Sequence, residues 1–363
     1  MSILTQASHE WMKRPNDQRY LNLPDMKAHF DLERKYSAEK VVPTSKVTIL
    51  PVKGDNTGLV VQGPKGFDFA PTHWSFGQLA TLGKAPAGYL RTLPSPMAAD
   101  CLNFGLKIAR DIEDVGLLLH KNGGTPTLRA ATGPKYGRIW NNDLLDEVIK
   151  RFGDGVTGAW KIPGEFGKKV AITKANTTLY ASDRDFFIFL ADEENRIILP
   201  NRRDGKSGSL ARGWFMWNSE VGSTTFGISM FLFDYACKNR IVWGVTEKVD
   251  FRLRHTVSAP DKWLAEIQPA LIAYQNSSGK GVLQAIEDAR KDRLEDRLQK
   301  FLADRFSKEL VKSMTDVHMI EEGRPIETRW DAVVAATAVA RSIEHQDVRV
   351  KLEREAGSLL KAS

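Results

Sequence analysis

The chain of 363 residues has little cysteine and no long apolar run. Its two cysteines, Cys101 and Cys237, form no CxxC pair, which excludes a disulfide framework or a zinc ribbon and fits a reducing compartment. No apolar stretch approaches the roughly 20 residues that cross a bilayer, and the N-terminus lacks the apolar core of a secretion signal. We therefore expect a soluble protein of the cytoplasm.

Several catalytic signatures are missing as well. A phosphate-binding P-loop needs GxxxxGK followed by Ser or Thr, and neither GEFGKK nor NSSGKG has that spacing. The seven histidines form no HxH or HExxH pair, and no GxSxG elbow occurs. Triads can be assembled from distant segments, so only local motifs are excluded. The sequence thus predicts no catalytic residue, no metal site and no cofactor.

The chain does contain patterned apolar residues, which make up 42% of it when aromatic residues and cysteine are included and can supply a sizeable core. Short alternating runs between turn residues, from about 170 to 257, are typical of an antiparallel sheet. Helical spacing dominates beyond Pro260. We predict an α+β fold with a mainly antiparallel sheet core and packed helices at 46–258, an N-terminal arm at 1–45 and a helical C-terminal region at 259–363.

Local patterns make sharper predictions. The β-branched runs on either side of GDNTG predict a hairpin. Thr72 and Gly83 are expected to begin and end one helix, and Asn141 or Asn142 lies near the N-cap of another.

Two amphipathic stretches need a covering partner. A helix over 94–112 has apolar spacing that places Cys101 on its apolar face, so Cys101 is expected to pack there. The stretch from Lys280 to Lys312 alternates charges around an apolar stripe and predicts one or two long helices, packed on the core or on another copy of the chain. The apolar stripe fits packing on the core and packing on another copy equally well. We expect a homo-oligomer.

The formal net charge of +7 and the pI of about 9.2 favour a polyanionic partner, although an ordinary basic enzyme fits equally. Basic and aromatic residues are interleaved at 135–140, 168–174 and 201–217. Single-stranded nucleic acid is bound in this way, because cations follow phosphates while rings stack on bases. The predicted nucleic-acid-binding residues are Arg129, Lys135, Tyr136, Arg138, Trp140, Lys168, Lys169, Arg202, Arg203, Lys206, Arg212 and Trp214.

Core packing is the competing interpretation for the rings. Along a strand, Trp214 and Met216 face one side while Phe215 and Trp217 face the other, so at least one set is expected inside. Carboxylates flanking FFIFLAD offer another alternative, a magnesium-dependent nuclease site. They also fit turn residues that keep strand ends soluble. These carboxylates are Asp183, Asp185, Asp192, Glu193 and Glu194.

The segment NSEVG, followed by an apolar run and DYACKNRIV, resembles a phage and plasmid family catalogued as domain of unknown function 932. The matching motif residues are Asn218, Ser219, Glu220, Val221, Gly222, Cys237 and Asn239. Further similar segments are FAPTHWSFGQLATLGKAPAGYLRTLP, TLRAATGPKYGRIWNNDLL and WDAVVAATAVARS…VKLEREAGSLL, so the resemblance covers most of the chain. It departs from the family pattern at Lys238 and Arg240 and at the TGPKYG turn.

The resemblance implies a mobile-element context and a mixed α/β core. The chain is also similar, more loosely, to phage single-strand annealing proteins. The family supplies no activity that could be carried over to this chain. The residues themselves predict a turn, in which Asn218 and Ser219 satisfy backbone groups and Gly222 adopts a positive φ. Glu220 is expected to pair with Arg212 or Arg240, and Cys237 is expected to be a core thiol.

We therefore expect a non-enzymatic protein of a phage or plasmid that binds single-stranded DNA in recombination or replication. A metal-dependent nucleic-acid enzyme using the carboxylates around 183–194 is one alternative. A protein-interaction or anti-defence module working through the helices of 260–363 is another.

Overall fold

The computed structural model describes residues 14–62, 68–109, 113–121, 123–163, 171–199, 208–234, 240–241, 250–276, 280–342, 352 and 355–360. The described strands form two sheets. In chain order they are β1 (Arg19–Tyr20), β2 (Ser37–Pro43), β3 (Ile49–Pro51), β4 (Leu59–Gln62), β5 (Asp68–Pro71), β6 (Asp114–His120), β7 (Thr127–Thr132), β8 (Trp160–Lys161), β9 (Leu179–Ala181), β10 (Phe186–Asp192), β11 (Ile197–Leu199), β12 (Gly208–Asn218), β13 (Phe226–Asp234), β14 (Arg240–Ile241) and β15 (Asp250–Leu253).

Helices cover these sheets and form a C-terminal layer. In chain order they are α1 (Leu23–Tyr36), α2 (His73–Leu82), α3 (Ala87–Leu90), α4 (Ser95–Ile108), α5 (Asn141–Phe152), α6 (Ala259–Lys262), α7 (Gln268–Asn276), α8 (Lys280–Lys291), α9 (Leu298–Ala303), α10 (Lys308–Glu322) and α11 (Arg329–Ser342). A π-helical segment, Trp263–Ile267, joins α6 to α7. The fold is α+β, as predicted from the alternation of patterns.

The smaller sheet has the order β2-β6-β7-β5-β4-β3. Its described pairings are antiparallel except for β5 and β7, which run parallel. The predicted hairpin is β3 and β4, with Ile49 opposite Val61. One face packs on α2 and α4, which contribute Leu79 and Leu102 to a shared core. The predicted cap of α2 is confirmed, because Thr72 Oγ1 accepts from Ser75 N at 3.1 Å and the helix ends at Gly83.

The larger sheet has the order β1-β9-β10-β12-β13-β14, with β8, β11 and β15 on its flanks, and every described pairing is antiparallel. Its inner face carries Trp214 and Met216, both fully buried against α1, α5 and the α6–α7 segment. Phe215 and Trp217 lie on the opposite face and are also buried. The core-packing interpretation of these rings is therefore confirmed.

The N-terminal segment differs from the predicted arm. Asn22 Oδ1 accepts from Asp25 N at 2.7 Å and begins α1, whose Leu23, Met26 and Phe30 are buried in the core of the larger sheet. β2 then pairs with β6 along its whole length. Charged residues surround α1 on most sides, but its narrow apolar stripe is enough to dock it on the sheet.

Helix α4 has two apolar faces rather than one. Leu102 and Leu106 are buried against the smaller sheet, whereas Cys101 is exposed and Phe104 is 66% exposed. Cys101 was expected to pack on the apolar face. The four-residue spacing to Met97 instead puts it on the outer stripe, because residues four apart share a helix face.

The stretch predicted as one or two long helices is broken into α8, α9 and α10. The chain turns after α8, where Leu294 N donates to Glu327 O at 2.9 Å and Arg329 N donates to Asp292 O at 3.0 Å. The turn lets Ile286, Leu302 and α11 share one apolar cluster. The stripe is thus covered by this chain's own α11. In the part of the chain that the structure describes, no helix is both long and apolar enough to cross a membrane.

Candidate nucleic-acid interface

The NSEVG segment follows β12 and lies where the two sheets meet. Val221 packs with Leu118 and Ala130 of the smaller sheet and with Trp140. Its carbonyl oxygen accepts from Trp74 Nε1 at 3.0 Å and from Gln78 Nε2 at 2.8 Å, and both donors lie on α2. The turn therefore joins the end of the larger sheet to the helices and strands of the smaller one.

Ser219 satisfies backbone groups within the turn, as predicted, whereas Asn218 bonds to a distant segment at 139–141. Asn218 Nδ2 donates to Ile139 O at 2.8 Å and to Asn141 Oδ1 at 2.7 Å. Ser219 Oγ donates to Arg184 O at 2.6 Å and accepts from the backbone N of Val221 and Ser223. Gly222 has a φ of 81°, also as predicted.

Glu220 is 2% exposed and pairs with Arg129, while Arg212, one of the two arginines predicted for it, pairs with Asp192. The side chain of the other, Arg240, lies outside the described part of the chain. Glu220 Oε2 lies 3.1 Å from Arg129 Nη2, and its Oε1 accepts from Asn141 N at 2.8 Å.

Asn141 is the first residue of α5, so the Glu220 carboxylate meets the positive end of the helix. The N-cap position itself is Trp140, which has no capping side chain, and Asn141 lies next to it, near the N-cap as predicted. The first N–H group of α5 is instead satisfied by the Glu220 carboxylate, which comes from a distant segment of the chain.

Arg129 was predicted to contact phosphate, but its guanidinium is neutralised inside the protein. It lies between Glu220 and Glu33, whose Oε2 is 3.3 Å from Nη1, and Nη1 also donates to Ser37 Oγ at 3.2 Å. Since Arg129 is buried, removing it would leave the buried Glu220 carboxylate without its cation. We assign Arg129 to the junction rather than to a ligand surface.

KYGRIW follows β7 and forms, with two residues from other segments, a row that we call the cation–π ladder. The Arg34 guanidinium lies 3.7 Å from the Trp140 ring centre, and Arg138 lies 5.5 Å from Trp140 and 5.1 Å from Tyr136. Tyr136 in turn stacks on His255, with ring centres 4.8 Å apart and planes inclined by 23°. Each cation–ring contact contributes about 0.5–2 kcal/mol, depending on its exposure.

The NSEVG turn holds Tyr136 of the ladder in place through a hydrogen bond. Tyr136 Oη donates to Ser219 O at 2.7 Å, and burial raises the pKa of this phenol. His255 makes two hydrogen-bond contacts with Gly137. The backbone N of Gly137 donates to His255 O at 3.1 Å, and His255 Nδ1 lies 3.1 Å from Gly137 O. Burial lowers the pKa of His255 to about 4, so its ring is neutral at pH 7. The hydroxyl and imidazole ends of the ladder are therefore held in one arrangement.

Exposed cations lie at both ends of the ladder. One of them, Arg34, belongs to the ladder itself. We call the four exposed cations the ladder surface: Arg34, Lys35, Lys135 and Arg254. Arg34 and Lys35 lie at the Trp140 end, while Lys135 and Arg254 adjoin Tyr136 and His255 in the chain. Lys35 also lies 5.2 Å from the ring centre of Tyr36, which is partly exposed.

The nearby carboxylates only partly offset this charge. Glu39 is paired with Arg138 at 2.7 Å, and Glu33 faces the interior at Arg129. Burial raises the pKa of Asp143, and the Arg34 charge opposes that rise. Counting Asp143 against the four exposed cations leaves the ladder surface positive.

The sequence predicted four members of this site, namely Lys135, Tyr136, Arg138 and Trp140, and missed Arg34, Lys35, His255 and Arg254. A signal for the first two was present, since ERKYSAEK at 33–40 interleaves cations with a ring just as KYGRIW does. This segment lies within the arm predicted at 1–45. His255 and Arg254 follow a strand of the larger sheet, and only the fold brings them beside Tyr136.

Two other predicted contact residues lie in the core. Trp214 is fully buried, and Arg212 pairs with the buried Asp192 at 2.7 Å beneath the rings of Trp160 and Tyr274. In this arrangement neither reaches a ligand, because β12 is a central strand with β10 and β13 on either side. The remaining predicted residues lie outside the described ranges: Lys168, Lys169, Arg202, Arg203, Lys206, Cys237 and Asn239.

The carboxylates considered for a metal site are separated by the length of β10. Asp185 accepts from Arg14 Nη2 at 2.8 and 2.9 Å at one end, and Asp192 is paired with Arg212 at the other. Across the described ranges, no group of three His, Cys, Asp or Glu side chains is placed to hold a metal ion.

No protein family model matches this chain, and no curated protein or solved structure does. The resemblance seen in the NSEVG segment stays a prediction, and the functional argument depends on the geometry of the site.

Proposed function

We propose that the chain binds single-stranded nucleic acid along the ladder surface. The observation that carries this proposal is the alternation of cations and rings from Arg34 to His255, with four exposed cations beside it. Proteins that bind single strands combine the same two elements, cations that follow the phosphates and aromatic faces that accept bases.

A single strand suits this surface better than a duplex. Trp140 is 9% exposed, and the Arg34 guanidinium lies over its ring. If Arg34 turns toward a phosphate, the indole face it now covers becomes available to a base. Only an unpaired base can reach it, because bases in a duplex are already stacked on each other.

In this proposal Arg34, Lys35, Lys135 and Arg254 contact phosphates, Trp140 or Tyr136 accepts a base, and Arg138 spaces the two rings. Arg129 and Glu220 hold the loop in place. The biological setting that we propose is the one implied by the resemblance, a phage or plasmid protein acting on single-stranded DNA in the host cytoplasm during recombination or replication.

The test is fluorescence anisotropy of a labelled single strand, titrated with the protein at several salt concentrations beside a duplex of equal length. One variant replaces Arg34, Lys35, Lys135 and Arg254 by Ala. The matched control replaces four exposed lysines of the C-terminal layer, Lys291, Lys300, Lys308 and Lys312, and so removes the same charge elsewhere.

We expect the wild type to bind the single strand more tightly than the duplex. In the ladder variant, the slope of log affinity against log salt concentration should become less steep by up to about 3, at about 0.7 per phosphate contact. The control variant should keep the wild-type slope. If the wild type does not bind at low salt, or if both variants lose equal affinity, the ladder surface is not the site.

A further inference from the structure

A polar cleft of about 250 Å³ lies on the other side of the NSEVG turn. Its walls come from the β9–β10 turn, the start of α2, the residues after Gly222 and the N-terminal segment. We propose that this cleft binds a terminal phosphate group of the nucleic-acid strand, a deepening that rests on the proposed function. The lining residues that matter here are Arg14, Trp74, Ser182, Asp183, Arg184 and Ser223.

Arg184 is the central cation of the cleft. In the described part of the chain, its guanidinium has three neighbours: His73 Nδ1 at 3.3 Å from Nη2, the Trp74 ring with its centre 5.6 Å away, and Asp183 at 4.0 Å. None of them is a bidentate partner, so most of its five N–H donors are not engaged by a carboxylate. A guanidinium in this state suits a phosphate, which accepts two parallel hydrogen bonds from it.

The NSEVG turn holds Arg184 in position. Arg184 O accepts from Ser219 Oγ at 2.6 Å and from Ser223 Oγ at 3.1 Å. The side chain therefore extends from a backbone that two hydroxyls fix, at the wall of a cleft that Ser223 also lines. That side chain is 41% exposed, and its guanidinium is placed by its contacts with His73 and the Trp74 ring. Since a preorganised donor loses less freedom on binding, the fixed backbone and these two contacts together favour a ligand site.

The charge balance of the cleft depends on one carboxylate. Asp185 is already neutralised by Arg14, which contacts both of its oxygens. Asp183 is half-exposed and only touches the edge of the Arg184 guanidinium. The helix α2 begins at His73 and Trp74, so its positive end adds to the attraction for an anion. Asp183 is the group that opposes a phosphate here.

A strand end fits this place better than an internal phosphate. The cleft is small, and a monoester presents more charge and more free oxygens than a diester. Trp74 packs against the cluster that contains Val221 and Trp140, so one apolar cluster separates the cleft from the ladder. A strand on the ladder surface can therefore end in the cleft.

The test compares strands of one sequence with a 5′-phosphate, a 3′-phosphate or hydroxyls at both ends. We expect the protein to prefer one phosphorylated end by about tenfold, as a charge-assisted bidentate contact allows. Arg184→Ala should abolish that preference and leave the affinity for the hydroxyl strand unchanged. Asp183→Asn should increase the preference by about threefold, because it removes the opposing charge.

The ladder variant separates the two proposals. It should weaken all three strands equally and keep the preference for the phosphorylated end. If the protein binds no strand, calorimetry with a nucleoside monophosphate and with inorganic phosphate still tests the cleft, since Arg184→Ala should remove that binding. The cleft proposal is overturned if neither phosphate compound binds and no end is preferred, or if the preference survives Arg184→Ala.

Discussion

Two segments of this chain combine arginine with aromatic rings, and their surroundings are opposite. RGWFMWN at 212–218 forms the end of β12, with rings buried on both faces of the sheet. KYGRIW at 135–140 is a connection between β7 and α5. Its Lys135 is exposed, and its Trp140 packs with Val221 while the exposed Arg34 lies over the indole ring. A similar composition therefore occurs both in a buried strand and at a partly exposed connection. The two are distinguished by their neighbours, since β12 lies between two strands and KYGRIW lies in none.

The largest expected difference between the two segments is in stability. Trp214→Ala should lower the free energy of unfolding by about 4 kcal/mol, because it removes a fully buried indole from the core. Lys135→Ala, the matched change in the connection, should alter it by less than about 0.5 kcal/mol. Urea denaturation followed by circular dichroism measures both. Equal effects would mean that β12 is not the more deeply packed segment.

The next effect concerns the junction that supports the ladder. Arg129→Ala should cost about 3 kcal/mol, because Glu220 and Glu33 are left without their shared cation. Adding Glu220→Gln to Arg129→Ala should recover part of this loss, since the amide oxygen can still accept from Asn141 N. Denaturant unfolding of the single and double variants forms the test, and a double variant less stable than Arg129→Ala would contradict it.

The ladder also makes the stability depend on pH. His255 is neutral when folded because burial lowers its pKa to about 4, whereas in the unfolded chain it titrates near 6.5. The unfolded state thus binds the proton first, and stability is lost as pH falls from about 6.5 to 4, by about 2–3 kcal/mol. Below that window this group causes no further loss.

The measurement is the difference in unfolding free energy between the wild type and His255→Asn at pH 7, 5.5 and 4. The asparagine variant should show the smaller decrease, because it keeps a polar side chain without the titrating ring. Parallel pH curves for the two proteins would assign the acid sensitivity to other groups, such as the partly buried His29 and the buried His318, whose pKa values are also lowered by burial.

The smallest effect on stability is expected at the outer end of the ladder. Arg34→Ala should lower the unfolding free energy by less than about 1 kcal/mol, the value of an exposed cation–π contact. Arg34→Lys keeps the charge but loses the flat stacking group, and it should keep more of the affinity for a single strand than Arg34→Ala does. Thermal unfolding and anisotropy together separate stacking from charge, and a loss of several kcal/mol in either variant would place Arg34 in the core.

Much of the fold was predictable because its signals are local. Thr72 caps α2, the GDNTG turn joins two strands, and Gly222 takes a positive φ, each for reasons contained within a few residues. Half of the site, Lys135, Tyr136, Arg138 and Trp140, was predictable for the same reason, since KYGRIW carries its own pattern. The N-terminal segment was not, because a narrow apolar stripe among charges does not reveal that it will dock.

The amino-acid sequence alone determined the α+β class and local features such as the cap of α2, the β3–β4 hairpin and the positive φ of Gly222. These follow from periodicity, capping and backbone preferences, which act over a few residues. Only the tertiary structure decided that Glu220 pairs with Arg129, that Arg212 lies beneath rings in the core, and that Arg34 reaches Trp140. A buried charge takes whichever opposite charge the fold brings to it, and that choice depends on contacts between segments far apart in the chain.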